Sequence, residues 1–175
     1  AAKMIRGDGF FDLGGMTAGV GVMWISGDVG DMDQFIVGQQ LELQRFGIDA
    51  QLEGEVGGAA FGLYADYSDA DPSTATQLNT YNPSQVDSLT GWSIRGTIKP
   101  LHNVVLAAGY GAGEVGAAES TLFHVGAEYE IYQNFVIALT YTSNESDGIG
   151  GAAYVGGPAA GLTTTTTTLD IEALM

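Results

Sequence analysis

Residues 127–141, "AEYEIYQNFVIALTY", decide the fold. Ala127, Tyr129 and Ile131 alternate with Glu128 and Glu130. After Tyr132-Gln133-Asn134 the alternation resumes, with Phe135, Ile137, Leu139 and Tyr141 set against Val136, Ala138 and Thr140. Two runs of period two about a polar turn predict a β-hairpin with one apolar and one polar face. The open question is whether the apolar face meets a protein core or lipid.

The same period recurs along the chain. Ala18–Trp24, Phe61–Tyr67, Trp92–Ile98, Val104–Tyr110, Phe123–Ile131 and Leu169–Met175 each alternate over at least four positions. Within residues 35–56 the apolar parity changes: Leu41 and Leu43 are odd, whereas Phe46, Ile48, Ala50 and Leu52 are even. One strand with a β-bulge near Arg45–Gly47 accounts for the switch, and two strands with a tight turn there are the alternative. The 175 residues suit a single domain, with residues 1–9 as an N-terminal segment ahead of the first strand.

The connections sort into short ones, at 56–58, 99–103 and 132–134, and long ones, at about 27–34, 69–88, 112–120 and 144–163. They alternate in order, which places every long connection at one end of the sheet and gives eight strands, with both chain termini at the short-turn end and ten strands as the alternative. A soluble meander has no reason for that rhythm. A transmembrane β-barrel has one: short turns on one side, longer surface loops on the other, and strands of about 10 residues tilted across the hydrocarbon. The expected fold is therefore an all-β, antiparallel up-and-down transmembrane barrel.

Composition narrows the function. There are 21 acids against five bases, a formal charge of −16, and none of the bases lies in a long connection. Such a field repels phosphates, which excludes a nucleic-acid partner. Cysteine is absent, so no disulfide or thiolate metal site is available.

Units such as "LFHVGAEYEIYQNFVIALTYTS" (122–143) and "WSIRGTIKPLHNVVLAAGYGAG" (92–113) resemble those of Gram-negative outer-membrane β-barrels, of the small OmpA/opacity type or the general porins. The resemblance covers residues 10–175 in pattern and implies an outer-membrane location in a mature chain whose signal peptide has been removed, a start that Ala1-Ala2 suits. It also implies lipid and lipopolysaccharide as partners. Barrels of this class commonly end in an aromatic residue, whereas this sequence ends Ala173-Leu174-Met175.

On this reading Trp24, Trp92, Tyr110, Tyr129, Phe135 and Tyr141 face lipid or form its interfacial girdle. Asp49, Glu53, Arg95, His124, Glu128, Glu130, Asp170 and Glu172 line the interior. Acids outnumber bases there, which points to a wet interior that favours cations, or to several copies sharing an interface. The expected role is non-enzymatic: structural, surface-interacting, or a small-solute pore. The reading from a different class is a secreted soluble β-protein, acting as a ligand-binding barrel or as a filament or surface-layer subunit.

Three motifs bear on chemistry. Asp28, Asp31 and Asp33 in "GDVGDMDQ" are oxygen ligands of the kind Ca²⁺ takes, but their spacing is not that of an EF-hand, so loosely bound Ca²⁺ is the most they imply and no other cofactor is expected. His124 shares a face with Glu128 and Glu130, yet no Ser or Cys nucleophile stands beside it, unlike the His and Ser of the barrel-embedded lipid A deacylases. "GYGAGEVG" (109–116) lacks the Lys and helix of a phosphate loop. No catalytic residue is assigned.

Overall fold

The computed structural model describes residues 2–31, 40–74, 76–82, 84, 86–132, 135–147 and 162–173. They form one sheet of ten strands: β1 (Lys3–Asp12), β2 (Met16–Asp31), β3 (Gln40–Val56), β4 (Ala59–Ala70), β5 (Gln77–Asn79), β6 (Leu89–Leu101), β7 (Val104–Val115), β8 (Ala118–Tyr132), β9 (Phe135–Asp147) and β10 (Leu162–Ala173). The order is β1-β2-β3-β4-β6-β7-β8-β9-β10, each antiparallel to its neighbours, while the three-residue β5 lies parallel to the upper end of β3. The sheet is up-and-down and is not closed, because β1 and β10 are not paired with each other.

Cross-strand register carries the apolar parity from strand to strand. One row reads Ala18–Leu52–Leu63, and the row above it Val20–Ala50–Ala65–Ile94–Tyr110–Phe123. The aromatic residues follow a slanted line across these rows. Trp24 faces Phe46, Tyr67 faces Trp92 one row lower, Tyr110 faces Phe123 a further row lower, and Tyr141 stands one row below that. The line thus drops two residues for every two strands. Held level, two residues of rise (about 6.6 Å) per two strand spacings (about 9.6 Å) tilt the strands by about 35°, the tilt of membrane barrels.

From this line to the short turns the apolar face carries no charged side chain among the described residues. Four residues beyond the line, towards the long connections, carboxylates appear on the same face at Asp28, Glu42, Glu114, Glu119 and Glu145. On β2 the uncharged stretch from Met16 to Trp24 rises about 26 Å along the strand, or roughly 22 Å once tilted, close to the height of a lipid-facing band.

Among the described residues nothing packs on that face. Val20, Ile48, Leu63, Ile94, Leu106, Val125 and Leu139 are 41–51% exposed, and Ala70 is the one buried hydrophobic side chain among the described residues. The described residues form a single layer without a hydrophobic core.

Several sequence expectations are corrected. Residues 3–12, including most of the supposed N-terminal segment, form β1 and start at the long-connection end, since Lys3 pairs with Ser26. The connection expected at 112–120 is a two-residue turn at Gly116-Ala117, with Gly116 at φ +60°, and its Gly- and Glu-rich flanks continue β7 and β8. The bulge expected at Arg45–Gly47 is absent. β3 keeps unbroken register with β2 from Gly54 to Glu42, and the irregularity lies on β2 between Asp28 and Gly30. Parity changes at Phe46 because β3 leaves the apolar zone there: Gln44 and Glu42 occupy the same face beyond it.

Candidate functional site: the polar face

Glycines show which face is concave. On the polar face a Cβ at Gly21 would stand 2.6 Å from Asp49 Oδ2, one at Gly19 2.9 Å from Gln51 Cγ and Phe10 Cε1, and one at Gly62 2.6 Å from the Tyr64 hydroxyl; one at Gly109 would run into the His124 ring. On the apolar face Gly7 has nothing within 4 Å, and Gly9 and Gly96 have only ordinary contacts at 3.5 and 3.9 Å. Gly54, beside Met16 at the end of the sheet, departs from this on the apolar face, and Gly47 and Gly91, with nothing nearer than 3.6 and 3.7 Å, depart from it on the polar face. Side chains converge on the polar side, as they do inside a curved wall, and small residues give them room.

Two bases organise this face. Arg6 Nη2 lies 2.7 Å from Asp8 Oδ1 and 3.3 Å from Asp49 Oδ2, reaching from β1 across Gly21 of β2 to β3. Arg95 stacks over the Tyr64 ring with its Cζ 5.0 Å from the centroid, and the Tyr64 hydroxyl donates to Glu53 Oε1 at 2.7 Å. Ser93 Oγ donates to Asp66 at 2.5 Å. Both ion pairs are solvent-accessible and contribute little to stability, so they set charge distribution more than they hold the fold.

The β7–β10 half differs. No Lys or Arg follows Lys99 in the sequence. Glu128 and Asp170 flank Ala138 in one row of the polar face, and among the described residues neither carboxylate has a hydrogen-bond or ion-pair partner. His124 lies over Gly109, opposite Thr142. Glu130 shares the parity of Glu128, and its backbone N–H donates to Asn103 O at 2.9 Å, tying the 102–103 turn to β8. Glu172 pairs with Val136 in register, while its side chain lies outside the described residues.

The six residues expected at lipid all lie on the apolar face. Trp24, Trp92, Tyr110 and Tyr141 lie on the slanted aromatic line, and the rings of Trp92 and Tyr110 are 5.6 Å apart. Tyr129 and Phe135 are on the same face near the short turns. Asp28 stands opposite Glu42, Asp31 is described only through its backbone pairing with Gln40, and Asp33 lies outside the described residues. Among the described residues no group of acids and histidines is arranged to hold a metal ion.

The long connection 71–88 holds the most buried polar cluster described. Asn79 Nδ2 donates to Gln44 O (2.9 Å) and Asp71 O (2.7 Å), and its Oδ1 accepts from the N–H groups of Gln44 and Tyr81, both at 3.2 Å. Asn82 Nδ2 donates to Ala70 O and Asp87 O, and Ser73 Oγ donates to Asn82 O at 2.6 Å. Together with β5, these bonds lay the connection against β3. Tyr81 then sits 5.5 Å from Arg45 Cζ and closes a recess of about 140 Å³ with Ser68, Ala70 and Leu89.

Sequence reasoning did not find Arg6, Tyr64, Asn79 or Asn82. The Asn, Ser and Pro content of 72–84 signals turns, but which backbone groups those turns satisfy depends on β3, more than 30 residues earlier.

No protein-family model matches the chain, and no curated protein matches it. Solved structures do. Outer-membrane expressed OmpT of Vibrio cholerae aligns with a TM-score of 0.53 at 15% identity, over 95% of this chain and 53% of that one. OmpT folded in vitro, an outer membrane protein of the same organism, gives 0.54 at 15%, over 98% and 55%. Its trimer form gives 0.57 at 17%, over 98% and 55%. The chain therefore spans about half the length of the structures it matches. What it shares with them is a fold: this chain has the strand architecture of the outer-membrane β-barrel class.

Proposed function

We propose that the chain is a wall of a bacterial outer-membrane β-barrel, with its apolar face in lipid and its polar face lining a wet, cation-favouring interior, in a non-enzymatic role. The observation that carries this reading is the uncharged, half-exposed apolar belt that spans every through-strand and has no layer packed against it. In water such a surface would be far larger than a soluble monomer leaves uncovered; in lipid it needs no cover. The aromatic line and the carboxylates four residues beyond it suit the edge of the hydrocarbon.

Cation preference follows from the charges on the polar face. Asp8, Asp12, Asp49, Glu53, Glu55, Asp66, Glu128, Glu130 and Asp170 share it with Arg6, Arg45, Arg95 and Lys99. Rings of carboxylates select cations in water-filled pores. The test is the reversal potential of the protein in a planar bilayer under a salt gradient. It should have the sign of cation selectivity and move towards zero in the double variant Glu128→Gln/Glu130→Gln. Flat current traces would reject the pore, and an unchanged potential would remove these two carboxylates from its lining.

A further inference from the structure

We propose that β1 and β10 are interior strands of a larger wall, each pairing antiparallel with a strand outside these 175 residues, and that the complementary wall contains an odd number of strands and is not a second copy of this one. The proposal rests on the membrane reading above and adds a partner to it.

The direction of the edges carries the argument. Among the described residues, nine through-strands joined by antiparallel seams leave β1 and β10 running the same way. Closing the nine on themselves would join β1 to β10 in parallel. Two copies in the same membrane orientation would also meet only through parallel seams, β10 of one against β1 of the other. Every seam between neighbouring through-strands here is antiparallel. An odd number of added strands alone closes the wall with antiparallel seams throughout, and it brings the total to an even number, as in bacterial single-chain barrels.

The edges cannot stay open. Lipid offers no partner for a row of free N–H and C=O groups. Nor are the two strands built as edges. Natural edge strands are short, bulged, or blunted with Pro and Lys. β1 and β10 run 10 and 12 residues in unbroken register with their neighbours, without Pro; the bases of β1 are Lys3, at its start, and Arg6, which is paired with Asp8 and Asp49, and β10 has no basic residue but six consecutive threonines, which favour a strand. Ile5, Phe11, Leu169 and Ile171 are 54–65% exposed, above the 41–51% of the mid-strand residues from Val20 to Leu139 named above, as expected of side chains lacking a neighbour on one flank. The solved structures that match are nearly twice as long as the region they share with this chain.

Hydrogen exchange on the protein extracted from outer membranes in detergent tests the pairing. In an antiparallel edge strand alternate N–H groups point outwards. The proposal predicts that every amide of residues 5–11 and 163–171 exchanges within about tenfold of the amides of β7. Fast exchange at alternate positions would overturn it. Photocrosslinking identifies the partner. The chain has no cysteine, so Thr166→Cys and Gly7→Cys (a site where a Cβ meets nothing within 4 Å) each place one benzophenone-maleimide at an edge. Adducts to peptides outside these 175 residues are expected. Adducts joining β10 to β1, within one copy or between two, would overturn the proposal, as would labelled membranes that yield no adduct. A protein missing from the outer-membrane extract would sink both this proposal and the membrane reading, whereas free edges in an extracted protein would sink this one alone.

Discussion

Arginine placed along the apolar face of β7 should destabilise the protein in proportion to depth. Leu106→Arg, four residues below Tyr110 of the aromatic line, falls near the middle of the belt and should cost about 2–4 kcal/mol of folding free energy in lipid vesicles. Ala108→Arg should cost less, and Ala112→Arg, two residues beyond the aromatic line, only about 0–1 kcal/mol. Ala107→Arg, next to Leu106 but on the polar face opposite Thr97 and Gly126, should stay within about 1 kcal/mol, since its charge stays in water. The measurement is equilibrium unfolding of each variant in vesicles. The gradient is what separates lipid from a packed core: a core would penalise Arg at 106 and 108 alike, because the cost of an unpaired charge in protein does not follow the bilayer normal.

Removing the Asn79 side chain should release the 71–88 connection while leaving the sheet intact. Asn79 is 2% exposed and serves two carbonyls and two N–H groups. Each buried group left without a partner costs about 1–3 kcal/mol, and water entering the loosened loop recovers part of that. A net loss of about 3 kcal/mol corresponds to roughly a hundredfold more frequent opening. Asn79→Ala should therefore raise proteolytic cleavage within 73–88 by about that factor and speed exchange at the Gln44 and Tyr81 amides, with β7 and β8 unchanged. Asn79→Asp should behave like the alanine variant, because a carboxylate cannot donate to the Gln44 and Asp71 carbonyls. Cleavage at the wild-type rate in both variants would show that β5 and the backbone bond from Thr80 to Glu42 hold the connection without Asn79.

What the sequence showed and what it hid have physical reasons. Strands whose two faces differ in polarity were legible from parity alone, as in Val104–Tyr110, Phe123–Ile131 and Phe135–Tyr141. β1 was not, because Met4 and Ile5, then Phe10 and Phe11, put apolar side chains on both faces, so only its register against β2 reveals it. Gly113, Glu114 and Gly116 read as loop by composition. In the sheet most of them extend β7 beyond the belt, where a strand in water has no need of apolar residues. The parity switch in β3 has the sequence pattern of a bulge, but the backbone register is unbroken there and only the surroundings change. The polar face was legible as a face, with Glu53, Arg95 and Glu128 all on it, but its pairings were not. Arg6 reaching Asp49 across Gly21, 43 residues away in sequence, follows from strand order and from a missing Cβ, neither of which local pattern encodes.

The central claim, that the apolar face meets lipid, is tested most directly by the two tryptophans, Trp24 and Trp92, both on the slanted aromatic line of that face. In vesicles made with brominated phospholipids, both should be strongly quenched, and more by bromines near the headgroup end of the acyl chain than by bromines near its terminal methyl. Fluorescence equal to that in unbrominated vesicles, with the sheet folded, would contradict the account.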